Sequence, residues 1–339
     1  MKFKIVKRFE EAEVKRTAPL NSSNSELNYF HLNEKIPSFM ILMLNNTFCS
    51  PYGILFKNGQ VVKQSVYSMF DRNKNHLTFF KKILLGRYLK IKGPALIIHN
   101  AYYSNFYHWL IEAMPRLYVS EFLTNQCTLV IPKKVSLFHK QMLDLFKFKN
   151  ILYLDDHLLV KAETFILPMH TSTGLSHYPQ IMRGLRDRIL PLVLASKCNK
   201  DLLKAKNIYI SRGKALKRKI INEQEVLNVL LRHNFISVEL ESLPFTDQVS
   251  LFNNAEVVCG VHGAGLSNMI FSPDKTTYVV FKNEEHPDPA FINLANCFSH
   301  NFYLLDCSDP NSHLKGRNPQ SYDVQVDTTQ LEEILAMIY

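Results

Sequence analysis

Long apolar runs are missing from this sequence. No stretch approaches the roughly 18–20 residues that cross a bilayer as a helix, and the densest, Phe39 to Leu44, has the length of a strand. The amino terminus, MKFKIVKRFEEAEVKRT, is charged throughout and has no apolar signal-peptide core. Cysteine is sparse and scattered, at positions 49, 127, 198, 259, 297 and 307, with no C-x-x-C pair. That excludes a disulfide scaffold and zinc-ribbon spacing, and suits reduced thiols. These features together predict a soluble, cytoplasmic protein. The P-loop pattern and H-E-x-x-H are both absent, so neither a P-loop NTPase nor that class of zinc protease is expected. The nearest approach to G-x-S-x-G, Gly265-Leu266-Ser267-Asn268-Met269, lacks its last glycine.

What is present is an ordinary globular composition. The chain has 339 residues, 46% of them hydrophobic and 21% charged, a length that favours two domains. Forty Lys and Arg against thirty Asp and Glu leave a net charge of +10. Such an excess favours an anionic partner: nucleic acid, acidic lipid or a phosphorylated substrate.

The first eighty residues read as a small β region, with a strand at Phe39–Leu44 and a hairpin turning at Asn58-Gly59. From about Leu84 strands and helices alternate: strands near 94–99, 127–131, 151–154 and 164–167, and helices near 106–122, 137–148 and 180–194. A polar, lysine-rich stretch at 195–206 reads as a linker, after which the alternation restarts and closes with a helix near 329–338. Two runs of alternation imply two doubly wound parallel sheets. The boundaries expected are 1–83 for the β region, 84–199 and 200–325 for the two α/β domains, and 326–339 for a terminal helix.

Three segments carry candidate chemistry. In VVCGVHGAGL an apolar strand runs into a glycine-rich turn that opens a helix. Small residues there let backbone N–H groups approach a phosphate, and His262 offers a further donor. The competing reading is a tight strand–helix turn with His262 as an ordinary polar residue. Between Lys200 and Lys219 lie eight basic residues and one acid. Arg212, Lys217 and Arg218 suit a diphosphate clamp, although charge runs more often form a solvated loop. Asn222 and Glu225 read as a helix cap. In YHWLIEAMPRL, His108, Glu112 and Arg116 are spaced four apart, which places them on one helical face. A histidine beside a carboxylate suits a general base, against a purely structural role. Asp155-Asp156 reads as a turn, and Glu284 or Glu285 as a candidate ribose contact.

YHWLIEAMPRL (107–117), YISRGKALKRKIINEQEV (209–226) and LPFTDQVSLFNNAEVVCGVHGAGLSNMIFSP (243–273) together resemble glycosyltransferase family 61, in order and separation, over about 84–305. The resemblance implies a GT-B architecture: two Rossmann-like domains facing a cleft, the second holding most of a nucleotide-sugar, in many members a UDP-sugar. It implies inverting transfer without an essential metal, and no other cofactor. The nucleotide-sugar would be held by Arg212, Lys217, Arg218, His262, Gly263, Ala264, Gly265 and Leu266. His108 and Glu112 would serve the acceptor side, one of them as base. Relatives commonly carry an acidic residue where this chain has Val279-Val280-Phe281-Lys282, and Glu284 would then supply the ribose contact.

The chain's lack of the membrane anchor seen in eukaryotic relatives points to a bacterial enzyme of capsule, exopolysaccharide or lipopolysaccharide synthesis. Its acceptor would be a glycan or lipid-linked glycan. Lys81, Lys82, Arg87, Lys90 and Lys92, with the basic amino terminus, would give peripheral contact with the inner face of the membrane. The alternatives are a non-catalytic nucleotide- or sugar-binding module and a hydrolase using HGAG as an HGGG-type oxyanion motif. A nucleic-acid protein ranks below both, since no recognised module is present.

Overall fold

The computed structural model describes residues 3–22, 30–67, 79–173, 176–195, 205–213, 215, 217–310 and 322–339. The expected linker at 195–206 falls largely outside them. The chain divides into two compact units, 1–12 with 35–174 and 13–34 with 175–339.

The first unit opens with β1 (Lys4–Phe9); a two-stranded ribbon of β2 (Ala12–Lys15) and β3 (Asn33–Ile36) follows, most of it in the 13–34 segment of the second unit. An eight-stranded sheet is then completed by β4 (Phe39–Cys49), β5 (Leu55–Lys57), β6 (Gln60–Val61), β7 (Tyr88–Ile97), β8 (Thr128–Pro132), β9 (Ile151–Leu154) and β10 (Leu159–Pro168). A short β11 (Ser172–Thr173) follows. The strand order is β6-β5-β4-β10-β7-β8-β9, with β1 also on β4; β10, β7, β8 and β9 are parallel.

Residues 39–61 are therefore part of this sheet and not a region beside it. Strand β4 runs on to Cys49 and pairs antiparallel with β10. Its alternate apolar residues, Leu42 and Leu44, are buried in one cluster with Ala95, Ile97, Val130, Phe165 and Leu167. The Asn58-Gly59 hairpin is present, both residues having positive φ (50° and 75°), as a tight two-residue turn requires.

The second unit opens with β12 (Ser176–His177). Its sheet comprises β13 (Asn207–Ile210), β14 (Phe235–Val238), β15 (Val257–Val261), β16 (Thr277–Asn283) and β17 (Asn301–Cys307). All five are parallel, in the order β14-β13-β15-β16-β17. Numbered within the unit this is 2-1-3-4-5, a doubly wound order whose chain direction reverses between β13 and β15. One face packs on the helices Glu223–Arg232 and Thr328–Ile338 through Tyr209, Cys259, Phe281 and Leu331.

The helix Pro179–Leu194 belongs to this unit, although its sequence lies before the expected linker. It buries Ile181, Met182, Leu185, Ile189 and Val193, and its Arg183 and Arg186 pair with Asp274 at 2.7 Å each. Residues 17–21 attach here too: Asn21 exchanges hydrogen bonds with the Leu304 backbone, and Leu20 N–H donates to Phe302. They cover the β17 edge, which would otherwise present unpaired backbone groups.

Gly53 shows how tightly the turn after β4 is set. Its φ is +73°, and a Cβ there would lie 2.2 Å from the His99 carbonyl oxygen. Gly93 has a similar φ of +81° but open space around it. Gly53→Ala is expected to cost about 3 kcal/mol or more, and Gly93→Ala about 1 kcal/mol from backbone strain alone. Denaturant titration of the two variants checks this; equal losses would show that the His99 contact is unimportant.

Candidate active site

In the first unit the functional side chains gather at the carboxyl ends of β7 and β10, where its strand order reverses. Asn105 starts the following helix: its side-chain oxygen accepts the Tyr107 N–H at 2.9 Å, and its carbonyl accepts the Trp109 N–H at 3.0 Å. The helix runs only to Tyr118, short of the expected Phe122, and His108–Ala113 form a wide π-turn in which Met114 N–H bonds the Trp109 carbonyl five residues back. Pro115 then falls in the first turn of an ordinary α segment, where its missing N–H does little harm. Trp109 is core, as expected.

Glu112 is 2% exposed and receives three hydrogen bonds: from Tyr67 Oη (2.6 Å), Asn100 Nδ2 (2.7 Å) and His108 Nδ1 (2.9 Å). An imidazole whose Nδ1–H donates to a carboxylate keeps its lone pair on Nε2. His108 is only partly covered, its side chain 23% exposed. The geometry thus separates the two residues: His108 presents a basic nitrogen, while Glu112 is enclosed and orients it.

Arg116 does not share in this. It is fully buried and donates to the carbonyls of Pro168 (2.8 Å), Ile98 (2.6 Å) and His99 (3.2 Å), tying the ends of β7 and β10 together. The expected three-residue polar face is therefore a pair plus a structural clamp, because the π-turn changes the angular spacing. Burial pushes the guanidinium down to about 9, against the upward pull of Glu112.

Residues not anticipated from the sequence complete this site. Tyr67 packs edge-on against His108 and His170, with ring centroids 5.7 and 5.3 Å away. Tyr102 lies 5.1 Å from the His108 ring. Burial holds His170 well below its usual range, and both its ring nitrogens are enclosed without a hydrogen-bond partner. Asp155 and Asp156 pair with Lys133 and Lys134 and form a turn, as expected.

In the second unit Arg212 follows the end of β13 and His262 follows the end of β15. A doubly wound sheet binds ligands at that reversal point. Arg212 donates to the Arg218 carbonyl (3.0 Å) and the Lys217 carbonyl (2.9 Å), and Arg218 Nη1 donates to the His262 carbonyl at 2.7 Å. Arg218 adopts a left-handed backbone (φ 56°), and its Nε is buried without a partner. Burial lowers both guanidinium groups, and each further depends on its neighbours: Arg212 depresses Arg218, and Glu241 raises Arg212.

The structure brings together Arg212, Arg218 and His262 to Leu266. Lys217 enters through its carbonyl and its side chain is exposed. The turn after β15 opens a 3-10 helix, Ala264–Phe271, whose first N–H groups lack intrahelical acceptors as at any helix start. A Cβ on Gly263 would lie 2.8 Å from Arg212 Nη1, and one on Gly265 2.8 Å from Leu240 Cδ1. The glycines thus let the Arg212 and Leu240 side-chain ends lie close against the turn.

Glu284 is placed elsewhere. It is exposed and lines an acidic depression with Glu225, Asp306 and Asp327. Asn222 precedes a helix as expected, but its side chain clamps the Val326 backbone on both sides in place of capping. Ser267 is fully buried, so its hydroxyl offers no accessible nucleophile.

His286 and Asp288, which follow β16 in an H-x-D spacing, lie outside the residues expected from the sequence. His262 Nε2 lies 3.3 Å from Asp288 Oδ2, and His286 Nε2 3.7 Å. Among the described residues these three form the one grouping with metal-ligand geometry, their ligand atoms all within 4.8 Å of one another. The surrounding charge fits a metal poorly. Arg218 and Lys282 both lower His262 and His286, so a divalent ion would meet two cations beside its ligands. The same charges suit a diphosphate.

A family model for glycosyltransferase 61 matches residues 106–279, which contain both sites except Tyr67, Asn100, Tyr102, Asn105, Lys282, His286 and Asp288. This chain belongs to that family. Similar proteins include the EGF domain-specific O-linked N-acetylglucosamine transferases of Drosophila melanogaster, 34% identical over 83 residues, and of Canis lupus familiaris, 36% identical over 62. The matched stretches cover 24% and 17% of this chain, and only 16% and 12% of those relatives' length.

Acid should unfold this protein early. Burial lowers His286 to about 4, with further push from His262, Arg218 and Lys282, and lowers His177 and His300 to about 4. Unfolded histidines titrate near 6.5, so the unfolded chain gains protons first as pH falls. The stability involved is fully present above pH 6.5 and is lost towards pH 4, on the order of 1–2 kcal/mol per group between pH 7.5 and 5. Asp288 acts in a lower window: burial would raise it, but the His262 hydrogen bond holds it at about 2. Its contribution is present above pH 3.8 and lost below. Thermal midpoints at pH 7.5 and 5 test this; a midpoint unchanged across that range would contradict it.

Proposed function

We propose that this family 61 enzyme transfers a sugar with inversion from a UDP-sugar to a hydroxyl of a glycan acceptor. The observation that carries the reading is His108, held by an enclosed Glu112 with its free nitrogen outward. His108 Nε2 accepts the acceptor hydroxyl's proton as that oxygen attacks the anomeric carbon. Glu112 keeps the tautomer and stabilises the imidazolium that forms. Arg212, Arg218, His262 and the N–H groups opening the 3-10 helix receive the departing diphosphate, whose charge grows as the glycosidic bond breaks. No metal is required in this scheme, since fixed cations supply the charge. A doubly wound second unit, and a mixed sheet with a four-stranded parallel part in the first in place of the expected all-parallel one, support a GT-B class for the fold.

The names of the animal relatives support N-acetylglucosamine as the sugar. For the acceptor we keep a glycan of bacterial surface polysaccharide synthesis at the cytoplasmic face of a membrane, with a folded EGF domain, named by those relatives, as the competing class.

The test is product detection by mass spectrometry with a panel of nucleotide-sugars, against oligosaccharide, lipid-linked glycan and EGF-domain acceptors. His108→Ala is expected to lower kcat by about 10²–10⁴ with UDP affinity intact. Arg218→Ala is expected to weaken UDP binding at least about tenfold. Chelator treatment is expected to leave turnover unchanged. A His108→Ala enzyme with normal turnover overturns the base assignment, and loss of activity with chelator, restored by metal, overturns the metal-free scheme.

A further inference from the structure

Residues 79–92 lie outside both sites and have an unusual surface. Residues 79–84 are helical, and Phe79 and Ile83 face inward with Phe56 and Leu159. Beyond that contact the tip is apolar too: Leu84 is 83% exposed and Leu85 56%, while Phe80 packs edge-on against Phe56. Gly86 (φ 63°) turns the chain just after the two leucines and leaves them at a tip. Other exposed apolar side chains such as Leu231 and Met337 do not form such a run.

The charges around the tip have one sign. Lys81, Arg87, Lys90 and Lys92 are all exposed. Lys82 turns inward and donates to the Asp156 carbonyl at 2.8 Å. Of the acids nearby, Asp155 and Asp156 pair with Lys133 and Lys134, while Glu163 follows the Ala162–Ile91 pair on β10 and so lies level with Lys92, away from Leu84 and Leu85. The basic amino terminus is not part of the patch. Strand β1 pairs with the Phe39–Met43 half of β4, whereas Tyr88–Ile91 align through β10 with the Thr47–Cys49 half.

We propose that this patch seats the enzyme on an acidic bilayer surface, with Leu84 and Leu85 entering the interface and the four cations meeting anionic headgroups. Charge complementarity selects the occupant. A second copy of this basic chain would bring like charges together, whereas anionic lipid offers both the apolar layer and the opposite charge. Among the described residues no helix is long and apolar enough to cross a membrane, so this is a surface contact. It does not depend on which sugar is moved.

The experiment is co-sedimentation of the full chain with phosphatidylglycerol-containing vesicles and with pure phosphatidylcholine vesicles, at low and high salt. Binding is expected to the anionic vesicles and to fall with salt. Leu84→Ser/Leu85→Ser should lower it about tenfold or more, while thermal midpoint and transfer to a soluble acceptor stay unchanged. Replacing Lys81, Arg87, Lys90 and Lys92 by Gln should remove the lipid selectivity and the salt dependence. Met337→Ser, at an isolated exposed site, should bind as the parent does. Equal binding to both vesicle types, or full binding by the leucine variant, overturns the proposal. So does a leucine variant that alters self-association in solution but not vesicle binding, which would mark the patch as a contact between copies.

Discussion

A buried guanidinium surrounded by strand-end carbonyls holds the first unit's site in place. Arg116 joins the carboxyl ends of β7 and β10 and lies one turn beyond Glu112 on the same helix. Glu112 can remain enclosed because Tyr67, Asn100 and His108 supply three donors and Arg116 supplies a nearby opposite charge. A buried carboxylate without such partners would be too costly to keep. The orientation of His108 follows from that arrangement, and with it the placement of a basic nitrogen at the surface of an otherwise apolar helix.

The second unit reaches an anion site by topology. Its 2-1-3-4-5 order leaves a reversal between β13 and β15, and the residues that follow those two strands are Arg212 and His262. Close approach makes the turn small: Gly263 and Gly265 are hemmed by Arg212 and Leu240. Behind the turn, Asn268 is fixed by Gln248 (3.0 Å) and by the Gly265 carbonyl (3.1 Å), so the loop is set before any ligand arrives. Such preorganisation is what makes electrostatic stabilisation of a leaving group effective. The π-turn in the first unit and the left-handed Arg218 in the second are departures from regular backbone, and both lie in these sites.

The sequence made the parallel α/β class visible through its alternation of strands and helices, and Arg212, His262 and the glycine turn through residue type. Local pattern could not show partners distant in the chain. Tyr67 and Asn100 meet Glu112 only because the segments that follow β6 and β7 come together. The four-residue spacing of His108, Glu112 and Arg116 suggested one polar face, since it assumed 3.6 residues per turn. Asn222 looked like a cap because its hydrogen bonds to Val326, about a hundred residues on, cannot be read locally. The H-x-D spacing of His286 and Asp288 was readable, but nearby Glu284 and Glu285 drew the ribose reading first.

The central claim is that His108 acts as a base in a single displacement, and the stereochemistry of the product tests it most directly. Proton NMR of the glycoside formed from an α-linked UDP-sugar reports its anomeric configuration. A β-linked product is predicted. An α-linked product would contradict the account, since retention requires either a protein nucleophile or front-face attack, and neither uses His108 as assigned.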